Sequence, residues 1–126
     1  MIVFWLLKFI IILILTFTPI PRITVYQLTP GQCDNGWSTR YDRPSWEIGA
    51  FGPMGKYPQE CALTHKAARE LHADPGDMLF VWTGDWEHSG FWHYHDHMPG
   101  KRAKIDLQID GNWSGKGFAV NLHLFE

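Results

Sequence analysis

The densest group of potentially reactive side chains lies at 92–98, which reads Trp-His-Tyr-His-Asp-His-Met. Because residues two apart on a β-strand share a face, a strand here predicts that Tyr94 and Asp96 point one way. The imidazoles then point the other way: His93, His95 and His97. Histidines spaced two apart can bind one metal ion, so this face is a candidate metal site. The alternative is that the three histidines form a solvated or groove-lining strand face.

Two carboxylic acids, Asp96 and Asp106, are a second candidate for acid–base chemistry. Asp96, shielded by aromatic rings, is expected to stay protonated and to act as a general acid, with Asp106 across from it on the next strand. The basic side chains of Lys101 and Arg102 are expected to hold an anionic or polar group of a substrate. The alternative is structural, with Asp96 capping the Pro-Gly turn at 99–100 and Asp106 on a solvated strand face.

Other kinds of chemistry find less support in the sequence. A hydrolase with Cys61 as nucleophile and His88 or His93 as base lacks a clear partner to orient the base. No cofactor is expected. The formal net charge of −2, without a basic block, excludes a typical nucleic-acid-binding surface. The two cysteines, Cys33 and Cys61, can pair in an oxidising compartment and stay small apolar residues in a reducing one.

The N-terminal segment is apolar and differs from the rest of the chain. Residues 1–20 contain a single charge, Lys8, in a run of Ile, Leu, Phe, Val and Trp. Residues 1–21 are therefore interpreted as a signal peptide or transmembrane anchor. About 20 apolar residues can span a bilayer, and 18–22 is a poor cleavage site, which favours the anchor. Either interpretation makes the membrane a partner and places residues 22–126 outside the cytoplasm, in the periplasm, at the cell surface or on a virion.

The remaining residues, 22–126, predict one small all-β domain. Strands are expected where β-branched and aromatic residues alternate with polar ones. The predicted strands are 23–26, 46–51, 61–63, 78–82, 90–98, 103–109 and 118–125. A short helix is predicted at 65–72, and the Pro-Gly pairs at 75–76 and 99–100 predict turns. Six or seven short strands with one short helix are typical of a small barrel.

Five parts of the chain, in order, resemble the Asp-Asp-Asp (3D) domain family. They are the opening strand and loop at 23–26 and 32–34, the second strand at 61–64, the Gly-Asp strand at 75–81, the late aspartate stretch at 90–98 with 101–102 and 105–107, and the closing strand at 117–122. The resemblance implies a six-stranded double-psi β-barrel behind the N-terminal hydrophobic helix. It also implies peptidoglycan or a related glycan as the partner.

In members of related families that cleave peptidoglycan, an Asp protonates the glycosidic oxygen and the muramic acid C6 hydroxyl closes onto C1. The product is a 1,6-anhydro sugar, and no water is consumed. Matched residue by residue, Asp96 corresponds to the first Asp of the late pair and Asp106 to the Asp of the Ile-Asp-Leu motif. The family's earliest Asp falls at Thr64. The resemblance therefore implies a lytic transglycosylase with Asp96 and Asp106 as catalytic residues. Its expected substrate-binding residues are Tyr94, Lys101, Arg102 and Thr64.

Two alternatives stay open beside this interpretation. The first is a non-catalytic glycan-binding or structural barrel of an envelope or virion assembly, which Thr64 in place of the first Asp favours. One or two of the seven tryptophans would then line a groove as sugar-stacking platforms, the others being core. The second is a histidine-rich metal-binding β-domain, which requires His93, His95 and His97 to converge.

Overall fold

The computed structural model describes residues 2–26, 37–40, 43–44, 48–49, 51–55, 57–109 and 111–125. It begins with helix α1 (Ile2–Thr16), the predicted N-terminal hydrophobic helix. The side chains at 2–10 are exposed, although all but Lys8 are apolar. In the part of the chain that the structure describes, no helix combines the length and the apolar character needed to cross a membrane.

Within the described residues, ten strands and one short helix follow α1. The strands are β1 (Thr18–Tyr26), β2 (Trp37–Ser38), β3 (Arg43–Pro44), β4 (Ile48–Gly49), β5 (Gly52–Pro53), β6 (Glu60–Thr64), β7 (Met78–Trp82), β8 (Gly90–Met98), β9 (Lys104–Gln108) and β10 (Ser114–Asn121). The helix is α2 (His65–Glu70). The predicted strands at 78–82 and 90–98 agree with β7 and β8. Of the strand predicted at 46–51, β4 covers 48–49, and residues 46, 47 and 50 lie outside the described residues.

The six long strands close into a barrel in the order β1-β10-β7-β8-β6-β9. Two neighbouring pairs are parallel, β1 with β9 and β6 with β8, and the other four are antiparallel. The remaining strands form two separate two-stranded sheets, β2-β3 and β4-β5, between β1 and β6. The prediction of a small six-stranded β-barrel with one short helix behind an N-terminal helix is therefore confirmed.

The barrel interior is filled by every second residue of its strands. Leu79 and Val81 of β7 and Ile105 and Leu107 of β9 are each fully buried, while the residues between them are partly accessible. Burial of one such aliphatic side chain stabilises the folded state by about 1.5–3 kcal/mol. Trp92 is the largest side chain in this core. The period of two thus assigns each strand an inner and an outer face.

Three elements, β1, α2 and β10, have boundaries that differ from the sequence predictions by two residues or more. β1 begins at Thr18 because residues 18–20 pair with β10 and Ile20 is buried in the core, so the boundary predicted after residue 21 falls inside a barrel strand. The helix predicted at 65–72 ends as α2 at Glu70, since His72 adopts a positive φ of 49°, a left-handed conformation typical of helix ends.

β10 begins and ends four residues earlier than predicted. The sequence Ser-Gly-Lys-Gly at its start is a weak strand signal, yet Gly117 is required because a Cβ there would overlap the carbonyl oxygen of Trp82. The strand ends at Asn121, whose side-chain oxygen accepts a hydrogen bond from His123 N at 3.0 Å. Its amide group donates to His72 O and to Asp77 Oδ2, so this buried side chain starts a turn instead of continuing the strand.

Candidate functional site

Asp96 and Asp106 lie in one row across three neighbouring strands. Ala62 of β6 is the register partner of Asp96 on β8 and also of Asp106 on β9. Register partners in a sheet point to the same side, and strands lie about 4.8 Å apart, so the two aspartate Cα atoms are separated by about 10 Å. Ala62, whose side chain is a methyl group, lies between them in the row.

This row lies on the outer face of the barrel. On β6 the neighbours of Ala62, Cys61 and Leu63, are fully buried and belong to the interior cluster. Ala62 is also buried, at 4% exposed, but points to the opposite side of the sheet and is not in that cluster. Thr24 of β1 continues the row, since it is the register partner of Asp106. The row therefore reads Thr24, Asp106, Ala62, Asp96.

A β-bulge brings Asp96 into the row. Tyr94 pairs with Cys61 and Asp96 with Ala62, so His95 is an extra residue without a register partner on β6. Without the bulge, strict alternation would place Tyr94 and Asp96 on one face, as the sequence analysis expected. Instead Tyr94 joins the core, where it is 4% exposed, and Asp96 faces outward.

The two carboxyl groups differ in their surroundings. Asp106 Oδ1 accepts a hydrogen bond from Thr24 Oγ1 at 2.5 Å. Burial raises the pKa of the Asp106 carboxyl, and the charge of Asp96 adds to this, whereas the Thr24 hydrogen bond and the charge of Lys104 partly oppose it. Asp96 Oδ1 accepts a hydrogen bond from His97 N at 2.8 Å. Burial thus favours the protonated form of Asp106, the residue predicted from the sequence as the partner of the acid.

The predicted substrate-binding residues Lys101 and Arg102 lie in the loop between β8 and β9. With Thr64 they line a cavity of about 430 Å³, next to the carboxylate row. Two further basic residues line the same cavity, Arg22 of β1 and Lys104 of β9. Lys104 stands two residues from Asp106 on the same strand and therefore shares its face.

Thr64 has a structural role that the sequence did not indicate. Its side chain is 1% exposed, and its hydroxyl donates to Arg102 O at 2.8 Å. The same oxygen accepts from Lys104 N at 3.0 Å and, as the N-cap of α2, from Ala67 N at 3.4 Å. This hydroxyl therefore joins α2, the β8–β9 loop and β9.

Tyr94, the fourth predicted substrate-binding residue, is not in the carboxylate row. Its ring packs edge-on against Phe51 at 5.2 Å and lines a groove of about 680 Å³ together with residues of α2. Burial raises the pKa of its hydroxyl. The structure thus brings together Asp96, Asp106, Lys101, Arg102 and Thr64, and places Tyr94 on the inner side of the same strand.

The three histidines of the metal alternative do not converge. His93 stacks on Tyr57 with ring centroids 4.1 Å apart, whereas His97 packs against His65 at 3.8 Å. His95, the bulge residue, is buried with its Nε2 3.8 Å from a Glu60 carboxylate oxygen. The physical reason is again the bulge, which breaks the alternation that would have placed the three rings on one face.

Among the described residues, one other group has metal-ligand spacing: Asp85, Glu87 and His88. Here Asp85 caps a short 3-10 turn, accepting hydrogen bonds from Glu87 N and from His88 Nδ1. The hydrogen bond from His88 lowers the pKa of Asp85. These hydrogen bonds explain why the three side chains lie together: Asp85 caps the turn that contains the other two residues.

Cys61 is unsuited to the nucleophile role that the sequence analysis considered. Its side chain is fully buried in the barrel interior, and burial raises the pKa of its thiol, so the reactive thiolate is disfavoured. Cys33, the other half of the possible disulfide, lies outside the described residues.

Sequence reasoning missed Arg22, Thr24 and Lys104. A signal was present, because Arg22 and Thr24 alternate with Ile23 and Val25 in a strand pattern and so were predictable outer-face residues. Which strands would flank β1 was not predictable from this pattern. The contact between Arg22 and Lys104 needs the parallel pairing of β1 with β9.

Comparison of the chain with family models, with curated proteins and with solved structures found no match. The likeness to the 3D domain family therefore stays a prediction from its five ordered segments. What bears directly on function is the placement of the carboxylates and the basic residues on one outer face of the barrel.

Proposed function

We propose that the chain is a glycan-cleaving enzyme of the lytic transglycosylase type, related to the 3D domain family and acting on peptidoglycan or a related glycan. The observation that carries the proposal is the shared register partner of Asp96 and Asp106. A row in which Ala62 lies between two carboxyl groups, next to a basic cavity, fits an elongated sugar chain with acidic substituents.

In the proposed reaction Asp106 is the general acid. Its proton passes to the glycosidic oxygen, and the bond from that oxygen to C1 breaks. Asp96 stabilises the positive charge that develops at C1. The C6 hydroxyl oxygen of the same sugar then bonds to C1, and its proton returns to Asp106. Acid and base are thus one residue, and the products are a free 4-hydroxyl end and a 1,6-anhydro sugar.

The proposal includes a location at or beyond a membrane, with α1 as signal or anchor. Support comes from the exposed apolar side chains of α1, such as Phe4 and Trp5, which are 70% and 79% exposed. An apolar helix of this kind is stabilised by lipid or detergent.

The test is digestion of purified peptidoglycan by the full chain in a neutral detergent, with products identified by mass. We expect 1,6-anhydro products, and Asp106→Asn should reduce their release by about 10²- to 10⁴-fold, as for loss of a general acid. Asp96→Asn should reduce it less, and Glu87→Gln, which removes an exposed carboxylate outside the row, should leave it unchanged. Absence of cleavage by a folded wild-type chain would overturn the proposal.

A second candidate, a non-catalytic glycan-binding barrel, is favoured by Thr64. Its hydroxyl forms three hydrogen bonds within the fold, so the position that corresponds to the family's first Asp has a structural role and not a catalytic one. On this alternative the chain binds insoluble glycan without releasing product, and Asp106→Asn leaves binding unchanged. Sedimentation with peptidoglycan, run beside the digestion, separates the two.

A further inference from the structure

Next to the carboxylate row lies a cavity whose charged lining residues are all basic. They are Arg22, Lys101, Arg102 and Lys104, and the rest of the lining is Pro21, Thr64, Pro99, Gly100, Ser114 and Gly115. The cavity volume of about 430 Å³ lies in the range of small-molecule pockets, so it accommodates part of a substrate and not a whole sugar chain. We propose that this basic cavity binds one oxyanion group, a carboxylate or a phosphate, carried by the substrate of the neighbouring carboxylate row.

The first support is an arrangement of like charges. Arg22 and Lys104 are register partners on the parallel strands β1 and β9, so their side chains leave the sheet side by side. Like charges directly opposite each other destabilise a sheet. Among the described residues, no carboxylate oxygen lies within ion-pair distance of either side chain, although the charge of Lys104 acts on Asp106, two residues along β9. A bound anion between Arg22 and Lys104 would reduce their repulsion further.

The second support is that the fold builds the cavity instead of leaving it as a loose surface. The register between β1 and β10 shifts between Ile20 and Ile23, which leaves Pro21 and Arg22 outside the regular pairing. Such a bulge bends a strand and turns a side chain toward a new direction. On the other side of this irregularity, Ser114 and Gly115 of β10 form a low wall of the cavity.

The third support is the position of Thr64 beneath the loop that carries Lys101 and Arg102. The Thr64 hydroxyl holds Arg102 O and Lys104 N, so the backbone on both sides of Ala103 is fixed to one buried atom. Gly100 passes so close that a Cβ there would lie 3.2 Å from Thr64 Cγ2. Thr64 is therefore a positioning residue for the basic side chains.

The cavity and the carboxylate row belong to one surface. Arg22 and Lys104 precede Thr24 and Asp106 by two residues each, so the two rows are neighbours on the outer face, about 7 Å apart. A glycan whose scissile bond lies over Asp106 would place an acidic substituent within reach of the cavity. Guanidinium and ammonium groups bind carboxylates and phosphates through charge-assisted hydrogen bonds. The inference rests on the proposed function and specifies its substrate as an acidic glycan.

The test is calorimetric titration of the full chain in neutral detergent, in an Asp106→Asn background that prevents turnover. The probes are a muramoyl peptide carrying carboxylates, inorganic phosphate, and a neutral chitooligosaccharide. We expect an anionic probe to bind at least tenfold more tightly than the neutral one. Tighter binding of the muramoyl peptide would identify the bound oxyanion as a carboxylate. Tighter binding of inorganic phosphate would identify it as a phosphate.

Arg22→Gln and Lys104→Gln should each weaken the binding of the anionic probe by about tenfold or more, because a hydrogen bond to a charged group is lost. Lys116→Gln, which removes an exposed lysine of β10 outside the cavity, is the matched control and should change affinity less than twofold. Lys104→Gln should melt at the same temperature as its background or higher, since the repulsion with Arg22 is relieved.

Equal affinity for neutral and anionic probes, or equal effects of Lys104→Gln and Lys116→Gln, would overturn the inference. Failure of the inference about the basic cavity is distinguishable from failure of the proposed function. Cleavage by the wild type without selective anion binding would overturn the basic cavity alone. Anion binding without any cleavage would overturn the enzymatic proposal alone.

Discussion

The barrel has two different outer faces. One carries charged side chains and is formed by β1, β9, β6 and the second half of β8. The other carries aromatic side chains and is formed by β10, β7 and the first half of β8. We name them the charged face (Arg22, Thr24, Lys104, Asp106 and Asp96) and the aromatic face (Phe80, Trp82, Phe91 and Phe118). On the aromatic face, Phe118 pairs with Trp82 and Phe80 with Phe91. Phe91 and Phe118 are 51% and 48% exposed.

The two faces share one interior, so the core does not distinguish them. The difference lies in what holds the outer side chains. On the charged face a short hydrogen bond joins Asp106 to Thr24, whereas the aromatic rings contact one another, Phe80 with Phe91 at 5.2 Å and Trp82 with Trp86 at 4.8 Å. Hydrogen-bonded charges favour chemistry, and exposed rings favour stacking on sugars or apolar groups. The bulge at His95 lets β8 serve both faces.

The largest effect is expected from filling the gap between the two carboxyl groups. Ala62→Leu places a branched side chain between Asp96 and Asp106, which should reduce peptidoglycan cleavage by about a hundredfold, since small displacements of reacting groups have effects of that size. Overpacking should lower the free energy of unfolding by about 1–3 kcal/mol, measured in urea. Ala62→Ser keeps the gap and is the control. Full activity of Ala62→Leu would contradict the role given to this row.

The next largest effect concerns the anchoring of the charged face. Thr64→Val keeps the shape of the side chain but removes the hydroxyl bonded to Arg102 O, Lys104 N and Ala67 N. We expect the free energy of unfolding to fall by about 2–3 kcal/mol, because buried backbone groups and a helix cap lose their partner. Thr64→Ser retains the hydroxyl and should cost less than about 1 kcal/mol. Similar losses in both variants would show that the hydroxyl contributes little.

A smaller effect is expected on the aromatic face. Phe91→Ser and Phe118→Ser should each weaken co-sedimentation with insoluble glycan by roughly three- to tenfold, since one stacked ring contributes about 0.5–1.5 kcal/mol. Cleavage of a saturating soluble substrate should be unchanged, because these rings are distant in register from Asp106. Leu124→Ser removes an exposed apolar side chain outside the face and serves as the control. If that control weakens binding equally, the aromatic face is not a stacking surface.

The smallest effect is a difference in the pH dependence of stability between Asp106 and Asp85. Burial raises the pKa of Asp106, so its contribution to stability is fully present below the unfolded-state pKa of about 3.9 and is lost as pH rises through the folded-state pKa. Asp106→Asn should therefore be more stable than wild type at pH 7, with a smaller difference at pH 3.

Asp85 should behave in the opposite way. The His88 hydrogen bond lowers its pKa, so its contribution is present above the unfolded-state pKa and is lost as pH falls through the folded-state pKa. Asp85→Asn should be less stable than wild type at pH 7 and equal to it at low pH. Thermal melts of both variants across pH 3 to 7 measure the two trends, and trends of the same sign would contradict the assigned environments.

Much of the local structure could be predicted from the sequence. β7 and β8 were predicted with their observed bounds because each is an uninterrupted apolar or aromatic run between turn residues. β9 was predicted within one residue at each end from the alternation of Ile105, Leu107 and Ile109 with polar residues. The end of β10 was missed because Asn121 stops the strand through partners at His72 and Asp77, which are distant in sequence.

The candidate site was predictable in its residues but not in its arrangement. Asp96, Asp106, Lys101 and Arg102 stood out by type and spacing, and the structure places all four around one outer surface. The expectation that Asp96 shares a face with Tyr94 failed, because a bulge cannot be seen in a period-two pattern. Arg22 and Thr24 were missed because their neighbours on β9 lie some 80 residues away in the sequence.

By itself, then, the sequence determined which segments become strands. It also determined which side chains are apolar enough to fill the interior and which polar residues remain on the outside. These properties follow from local composition and from a period of two. Only the tertiary structure decided the order of the strands, the β-bulge at His95 and the register that makes Ala62 the common partner of Asp96 and Asp106. The physical reason is that register is set by the simultaneous burial of inner side chains from all six strands, a condition that no single segment contains.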